Sequence, residues 1–103
     1  MNVEIVQDAK IELEEAISYY EEIERGLGIR FKEEARHSIR WIRDNPLLPR
    51  VRTKGYRRVN LRIFPFYIAY FIRTGSIWIL AIAHGRKRPE YWFERKKKVN
   101  VAP

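Results

Sequence analysis

The chain contains no cysteine and no long apolar segment, and each absence excludes a class of protein. Without cysteine among its 103 residues, it has no disulfide scaffold, thiolate metal site or cysteine nucleophile. The longest apolar run, FPFYIAYFI at residues 64–72, is far shorter than the ~20 residues of a membrane-spanning helix. The first ten residues carry charges and no apolar signal-peptide core. We therefore expect a cytoplasmic protein that has no membrane partner.

Acidic residues are scarce in the second half of the chain. Residues 46–103 contain fourteen Lys and Arg but only Glu90 and Glu94 as acids, a net charge of +12. Residues 1–45 contain seven basic and eleven acidic residues, a net charge of −4, so the whole chain carries +8. A charge asymmetry of this size indicates a polyanionic partner for the second half, either nucleic acid or an acidic protein.

The first half of the chain predicts a short strand followed by two helices. VEIV at residues 3–6 fits an edge strand, and Asp8 can cap the helix that follows. Two segments have the apolar spacing of amphipathic helices, and RGLG at residues 25–28 separates them. So short a joint predicts an antiparallel helical hairpin. The apolar positions are Ala9, Leu13, Ala16, Ile17 and Tyr20 in the first helix and Phe31, Ala35, Ser38, Ile39 and Ile42 in the second.

The second half predicts strands. YRRVNLRIF at residues 56–64 alternates, with Arg58, Asn60 and Arg62 on its polar side, and LLPRVRTKG before it is a further candidate strand. FPFYIAYFIRTGSIWILAIAH predicts two strands around a turn at Thr74–Gly75. The fold class is therefore α+β, a helical hairpin packed on a three- or four-stranded, mostly antiparallel sheet whose other face carries arginines and aromatics. We expect one domain at residues 3–95 and a basic, flexible tail at 96–103.

The order of these segments resembles the RelE/ParE superfamily of toxins from type II toxin–antitoxin pairs. The segments are AKIELEEAISYYEE, GLGIRFKEEARHSIRWIRDNP, RRVNLRIFPFYIAYFI and ILAIAHGRKRPEYWFER. AIAH followed by GRKRPEYW is most similar to the ParE-type, plasmid-stabilisation branch. The resemblance implies a growth-inhibiting toxin that a cognate antitoxin neutralises, as a hetero-oligomer. ParE-like members poison DNA gyrase, whereas RelE-like members cut mRNA on the ribosome.

The residues at the end of the last strand offer candidates for either activity. Metal-free RNA cleavage needs a base, cations on the phosphate and an acid for the leaving oxygen. The catalytic candidates for a RelE-like enzyme are His84, Arg62, Arg86 and Tyr91, and Arg58 with Arg62 would cradle a phosphate. RelE-like members carry lysines on the sheet, where this chain has only Lys54, and that departure favours the ParE-like alternative. The residues expected to contact a target or antitoxin are Arg57, Arg58, Arg62, Arg86, Lys87 and Arg88.

Structural roles remain open for the same residues. His84 shares the strand parity of Trp78, Leu80 and Ile82 and would then face the core, while Tyr91 and Trp92 would seal its end. With two histidines and no acid cluster in the basic half, no metal site or cofactor is expected. The partners expected are an acidic antitoxin and either DNA gyrase or the ribosome with its mRNA. A non-toxic nucleic-acid-binding module is a third interpretation.

Overall fold

The computed structural model describes residues 1–99, which form an α+β domain. The elements in chain order are β1 (Asn2–Ile5), α1 (Gln7–Ile23), α2 (Leu27–Asp44), β2 (Arg57–Asn60), β3 (Phe66–Arg73), β4 (Ser76–His84), α3 (Glu90–Phe93) and a 3₁₀-helix (Glu94–Val99). No helix within this range is long and apolar enough to cross a bilayer.

One four-stranded sheet, in the order β1-β4-β3-β2, forms the centre of the fold. β1 runs parallel to β4, and the other neighbours are antiparallel. Thr74 and Gly75 form the two-residue turn between β3 and β4, with φ angles of 53° and 76°. Positive φ at both positions matches the twist of the flanking strands. The predicted α+β class, the early edge strand and this turn are all confirmed.

The two helices pack against each other as an antiparallel hairpin, and their apolar stripes cover one face of the sheet. Phe31 on α2 is fully buried, and the centre of its ring lies 5.0 Å from that of Phe64 and 4.9 Å from that of Phe66. Glu21, in the last turn of α1, links the two helices, because its carboxylate accepts hydrogen bonds from the amides of Gly26 and Gly28 at 2.9 and 3.0 Å. The carboxylate thereby satisfies amides at the start of α2 that have no partner within the helix.

The second face of the sheet carries arginines and aromatics, as expected, and part of it is covered. The segment at residues 90–99 lies on it, and both Trp92 and Val99 are 1% exposed. Trp92 Nε1 donates to the hydroxyl of Tyr67 at 2.9 Å. Residues 94–99 form the 3₁₀-helix, and burial of the Trp92 and Val99 side chains favours its position on the sheet. Residues 100–103 of the predicted tail lie outside the described residues.

Three local predictions need correction. The strand predicted at residues 56–64 ends at Asn60, so Arg62 lies in a loop and does not share a strand face with Arg58. The candidate strand LLPRVRTKG forms only an isolated bridge, Arg52 to Tyr56. Asp8 does not cap α1, because the N-cap is Val6. Asp8 lies in the first turn, where the helix dipole stabilises its carboxylate, and it pairs with Lys98 at 2.6 Å.

A bulge in β4 changes which residues share a face with His84. Ala69 pairs with Ala81, but Tyr70 pairs with Ile79, so Leu80 is the extra residue. A bulge reverses the alternation of the strand beyond it. Ile82 and His84 therefore lie on the helix side of the sheet, whereas Leu80 contacts the pocket beside Trp92 on the other side.

Candidate functional site

A groove of about 290 Å³ lies where β4 ends and brings together three of the predicted site residues. Arg58 from β2, His84 from the end of β4 and Arg86 from the following loop all line it, beside Phe66 and Tyr67. We call it the β4-end groove. It is open to solvent at the point where β2, β3 and the end of β4 meet the β4–α3 loop.

Arg58 is held in a defined position. Its guanidinium carbon lies 4.0 Å from the centre of the Tyr67 ring, and its Nη2 donates to Oδ1 of Asn60 at 2.9 Å. Stacking on an aromatic ring leaves the edge of a guanidinium available to an anion. Among residues 1–99, no carboxylate lies within 4 Å of Arg58 or Arg86. Both charges are therefore available to a partner.

His84 is positioned as a hydrogen-bond donor. Its Nδ1 accepts a hydrogen bond from the backbone amide of Arg86 at 3.1 Å, and its ring lies against Phe66 at 5.3 Å between centroids. A neutral imidazole has one lone pair and one N–H, so this bond places the proton on Nε2. The nitrogen that could act as a base is occupied, and the Nε2–H can donate to an anion or a carbonyl.

The loop from Gly85 to Pro89 presents its cations on a fixed backbone. The amide of Gly85 donates to the carbonyl of Pro65 at 2.7 Å, and the amide of Lys87 donates to the carbonyl of His84 at 2.9 Å. Arg86, Lys87 and Arg88 are all exposed. The Lys87 ammonium lies 5.3 Å from the centre of the Tyr91 ring. Three positive charges thus project from a short loop that is hydrogen-bonded at both ends.

Tyr91 is committed to an interaction inside the protein. Its hydroxyl donates to Oε2 of Glu12 at 2.6 Å. Burial raises the pKa of Tyr91, and the hydrogen bond to Glu12 raises that pKa further. A phenol with a raised pKa is a weaker acid at neutral pH. Tyr91 does share a second groove with His84 and Lys87, on the α1 side of the strand.

Arg57 and Arg62, the other two predicted residues, lie away from the β4-end groove. Arg57 Nη1 donates to the carbonyls of Leu47 and Pro49 at 3.1 and 2.6 Å, which ties the preceding loop to β2. Arg62 lies in the loop after β2, where its own amide donates to the carboxylate of Glu34. Its side chain lines a separate groove against α2. The predicted phosphate cradle of Arg58 and Arg62 is therefore not assembled.

Glu12 and Tyr67 support the site but do not stand out in the sequence. Glu12 belongs to a run of glutamates on α1 that reads as a solvated face, yet it holds Tyr91 and Arg95. Tyr67 belongs to an aromatic run typical of a core, and it carries Arg58 on its ring. No local signal distinguishes either residue, because both contacts join distant parts of the chain. Within residues 1–99, no group of three His, Asp or Glu side chains is placed to hold a metal ion.

A model of a known protein family matches nearly the whole domain. A family model described as "ParE toxin of type II toxin-antitoxin system, parDE" matches residues 3–89. This chain belongs to the ParE toxin family. A solved structure titled "Chromosomal ParDE TA system from P. aeruginosa" has the same fold, with a TM-score of 0.73 and 18% sequence identity over 82% of this chain and 95% of that chain. No curated protein sequence matches this ParE-family chain.

Proposed function

We propose that this ParE-family protein arrests growth by binding DNA gyrase and that a cognate acidic antitoxin neutralises it. The observation that carries the proposal is the state of His84, whose Nδ1 accepts the amide of Arg86 and is unavailable as a base. Tyr91 is engaged by Glu12, and Arg62 lies on another groove. These contacts favour a binding role over RNA cleavage and so support the gyrase proposal.

The β4-end groove and its loop supply that binding surface. Arg58 and Arg86 have no carboxylate within 4 Å in the described part of the chain, and Lys87 and Arg88 project beside them. Exposed charges of one sign accelerate association with an oppositely charged surface and make it sensitive to salt. We therefore assign target contact to this loop.

The antitoxin is expected on the β2 edge of the sheet. Among residues 1–99, β2 has a strand neighbour on one side only, and the exposed side chains of Leu47, Leu48 and Val51 lie in the segment that precedes it. An extended segment can add to such an edge through backbone hydrogen bonds while its apolar residues cover exposed side chains. An acidic segment is additionally favoured by the net charge of +12 in residues 46–103.

A gyrase supercoiling assay tests the proposal. The purified protein should inhibit supercoiling, and an antitoxin encoded beside it should restore the activity. Arg58→Gln and Arg86→Gln should each weaken inhibition by about tenfold, as expected for loss of a charged contact. Arg40→Gln, an exposed position on α2, is the matched control and should inhibit like the parent. If excess folded protein does not inhibit supercoiling, the gyrase proposal is wrong.

A ribosome-dependent endoribonuclease is the second candidate, because Arg58, His84 and Arg86 line one groove and could hold a phosphate. Under this alternative, His84→Ala, Arg58→Ala and Arg86→Ala should each relieve growth arrest while the protein remains folded, and cleaved mRNA should accumulate before arrest. If growth arrest persists in all three variants, cleavage at this site is excluded.

A further inference from the structure

A second pocket lies on the opposite side of the sheet from the helices, under the C-terminal segment. Its volume is about 570 Å³, within the range of about 300–1,000 Å³ that small-molecule sites occupy. Tyr56, Trp92 and Phe93 form its apolar walls, and Lys54, Arg73 and Lys96 stand around it. We call it the C-terminal pocket. It shares no lining residue with the β4-end groove.

Two of its cations lie against one aromatic ring. The Arg73 guanidinium and the Lys96 ammonium lie 4.8 and 4.9 Å from the centre of the Phe71 ring. Lys96 Nζ also donates to the carbonyl of Lys54 at 2.8 Å. Burial lowers the pKa of Lys96, and the charge of Arg73 lowers that pKa further. Two like charges kept this close repel each other, and a bound anion would relieve the repulsion.

No internal anion performs that role in the part of the chain that the structure describes. Within residues 1–99, no carboxylate lies within 4 Å of Lys54, Arg73 or Lys96. Glu94 is the one acid that lines the pocket, and Lys97 engages it at 2.8 Å. The other basic residues of the C-terminal segment behave differently, since Arg95 and Lys98 pair with carboxylates of α1. Lys96 thus differs from Arg95, Lys97 and Lys98, which all pair with carboxylates.

The walls of the pocket suit a flat ring. Tyr56 and Trp92 meet edge to face at 4.7 Å, and Trp92 and Phe93 do the same at 5.1 Å. Phe93 is half-buried, so part of its surface is open to a ligand. The Trp92 N–H is taken by Tyr67. Tyr56 and Trp92 are buried, so Phe93 is the ring that can stack on a ligand, and the rings present no pattern of donors that selects one base.

We propose that the C-terminal pocket binds a nucleoside phosphate monoester, either a free mononucleotide or the phosphorylated end of a nucleic-acid strand. A phosphate monoester carries close to two negative charges at neutral pH and offers three acceptor oxygens, which suits a pocket lined by Lys54, Arg73 and Lys96. The attached base would lie against Phe93. This site is independent of gyrase binding, because it uses other residues on another part of the surface.

Titration with AMP, adenosine and inorganic phosphate tests the site, with the Trp92 indole resonance in NMR spectra as the readout. AMP should bind saturably and about tenfold or more tightly than either adenosine or phosphate, because only AMP uses both the cations and the rings. Arg73→Gln and Lys96→Gln should each weaken AMP binding by about tenfold. Lys10→Gln removes one positive charge at an exposed position on α1 and should change the affinity for AMP by no more than about twofold.

Three results would overturn the proposal. The first is the absence of a saturable change with AMP in the folded parent protein. The second is equal binding of AMP and inorganic phosphate, which would show that the pocket does not use its rings. The third is equal binding of AMP by the parent and by Arg73→Gln, which would show that the pocket does not use its cations. Arg73→Gln carries the test if Lys96→Gln, which loses the bond to Lys54, fails to fold.

A 5′-phosphorylated dinucleotide separates the two sources of the ligand. Tighter binding of this dinucleotide than of AMP assigns the pocket to a nucleic-acid end, whereas tighter binding of AMP assigns it to a free nucleotide. The unphosphorylated dinucleotide should bind more weakly than its phosphorylated form by about tenfold in either case. Equal binding of the two dinucleotides contradicts the role of the cations.

Discussion

Arg95 and Glu12 form a two-point ion pair that completes the edge of β4. Arg95 Nη1 and Nη2 donate to Oε1 and Oε2 of Glu12 at 2.9 and 3.0 Å. Arg95 Nη1 also donates to the carbonyl of Leu80 at 3.0 Å, and Glu12 accepts the amide of Ile82 at 3.0 Å. β1 pairs with β4 only as far as Ile79. Beyond that residue, the ion pair occupies the position where a further strand would bond.

Removing the Glu12 carboxylate should destabilise the protein. Glu12→Gln is expected to lower the free energy of unfolding by about 2–3 kcal/mol, because it leaves the mostly buried Arg95 with only the longer contact to Asp8 as counter-charge and weakens the bond to Tyr91. Urea unfolding followed by circular dichroism measures the change. Glu14→Gln on the exposed side of α1 is the control, with an expected effect within about 0.5 kcal/mol. Equal effects of the two substitutions would contradict a stabilising ion pair.

Two glycines near the helix joint should respond differently to alanine. At Gly28, a Cβ would lie 2.5 Å from the carbonyl oxygen of Ile17, so the two helices would have to separate. At Gly26, a Cβ meets nothing within 4 Å, and the cost arises only from its φ of 90°. We expect Gly28→Ala to lower the free energy of unfolding by about 3 kcal/mol and Gly26→Ala by about 1 kcal/mol. Urea unfolding of both variants gives the comparison, and a larger effect at Gly26 would refute the close helix contact.

Stability should fall steeply in alkali because of Tyr70. Burial raises the pKa of Tyr70 from 10.0 to about 12, and its hydroxyl donates to the carbonyl of Pro46 at 2.8 Å. Between these two values the unfolded chain loses the phenol proton while the native protein retains it. The unfolded state therefore binds fewer protons, and the free energy of unfolding falls as pH rises, by up to about 1.4 kcal/mol per pH unit.

Tyr70→Phe removes this contribution. Its free energy of unfolding should be lower than that of the parent at pH 8, because the Pro46 carbonyl loses its donor. The difference should then shrink between pH 10 and about 12. Burial also raises the pKa of Tyr67 and Tyr91, so some alkaline sensitivity remains in the variant. A constant difference between parent and variant over this pH window would argue against a raised Tyr70 pKa.

The local pattern of residues was sufficient to predict the helices, the β3–β4 hairpin and the family. The apolar spacing of Ala9 to Tyr20 and of Phe31 to Ile42 reports which side of each helix is buried, and the structure places those residues against the core. The Thr74–Gly75 turn connects neighbouring segments, so the residues around it contain the whole signal. Such features depend on interactions within one or two turns of chain.

The rest was decided only by tertiary contacts. The bulge at Leu80 places Leu80 and Ile82 on opposite sides of the sheet, although they are two residues apart. Arg95 meets a partner 83 positions away, and Trp92 packs on the second face of the sheet against Tyr67. Charge and polarity along the chain indicate which environments suit each residue. Burial, register and ion pairing depend on which distant segment packs against that residue in the folded protein. For that reason the amino-acid sequence by itself determined a basic ParE-like α+β domain, and only the folded chain decided which of its cations remain available to a partner.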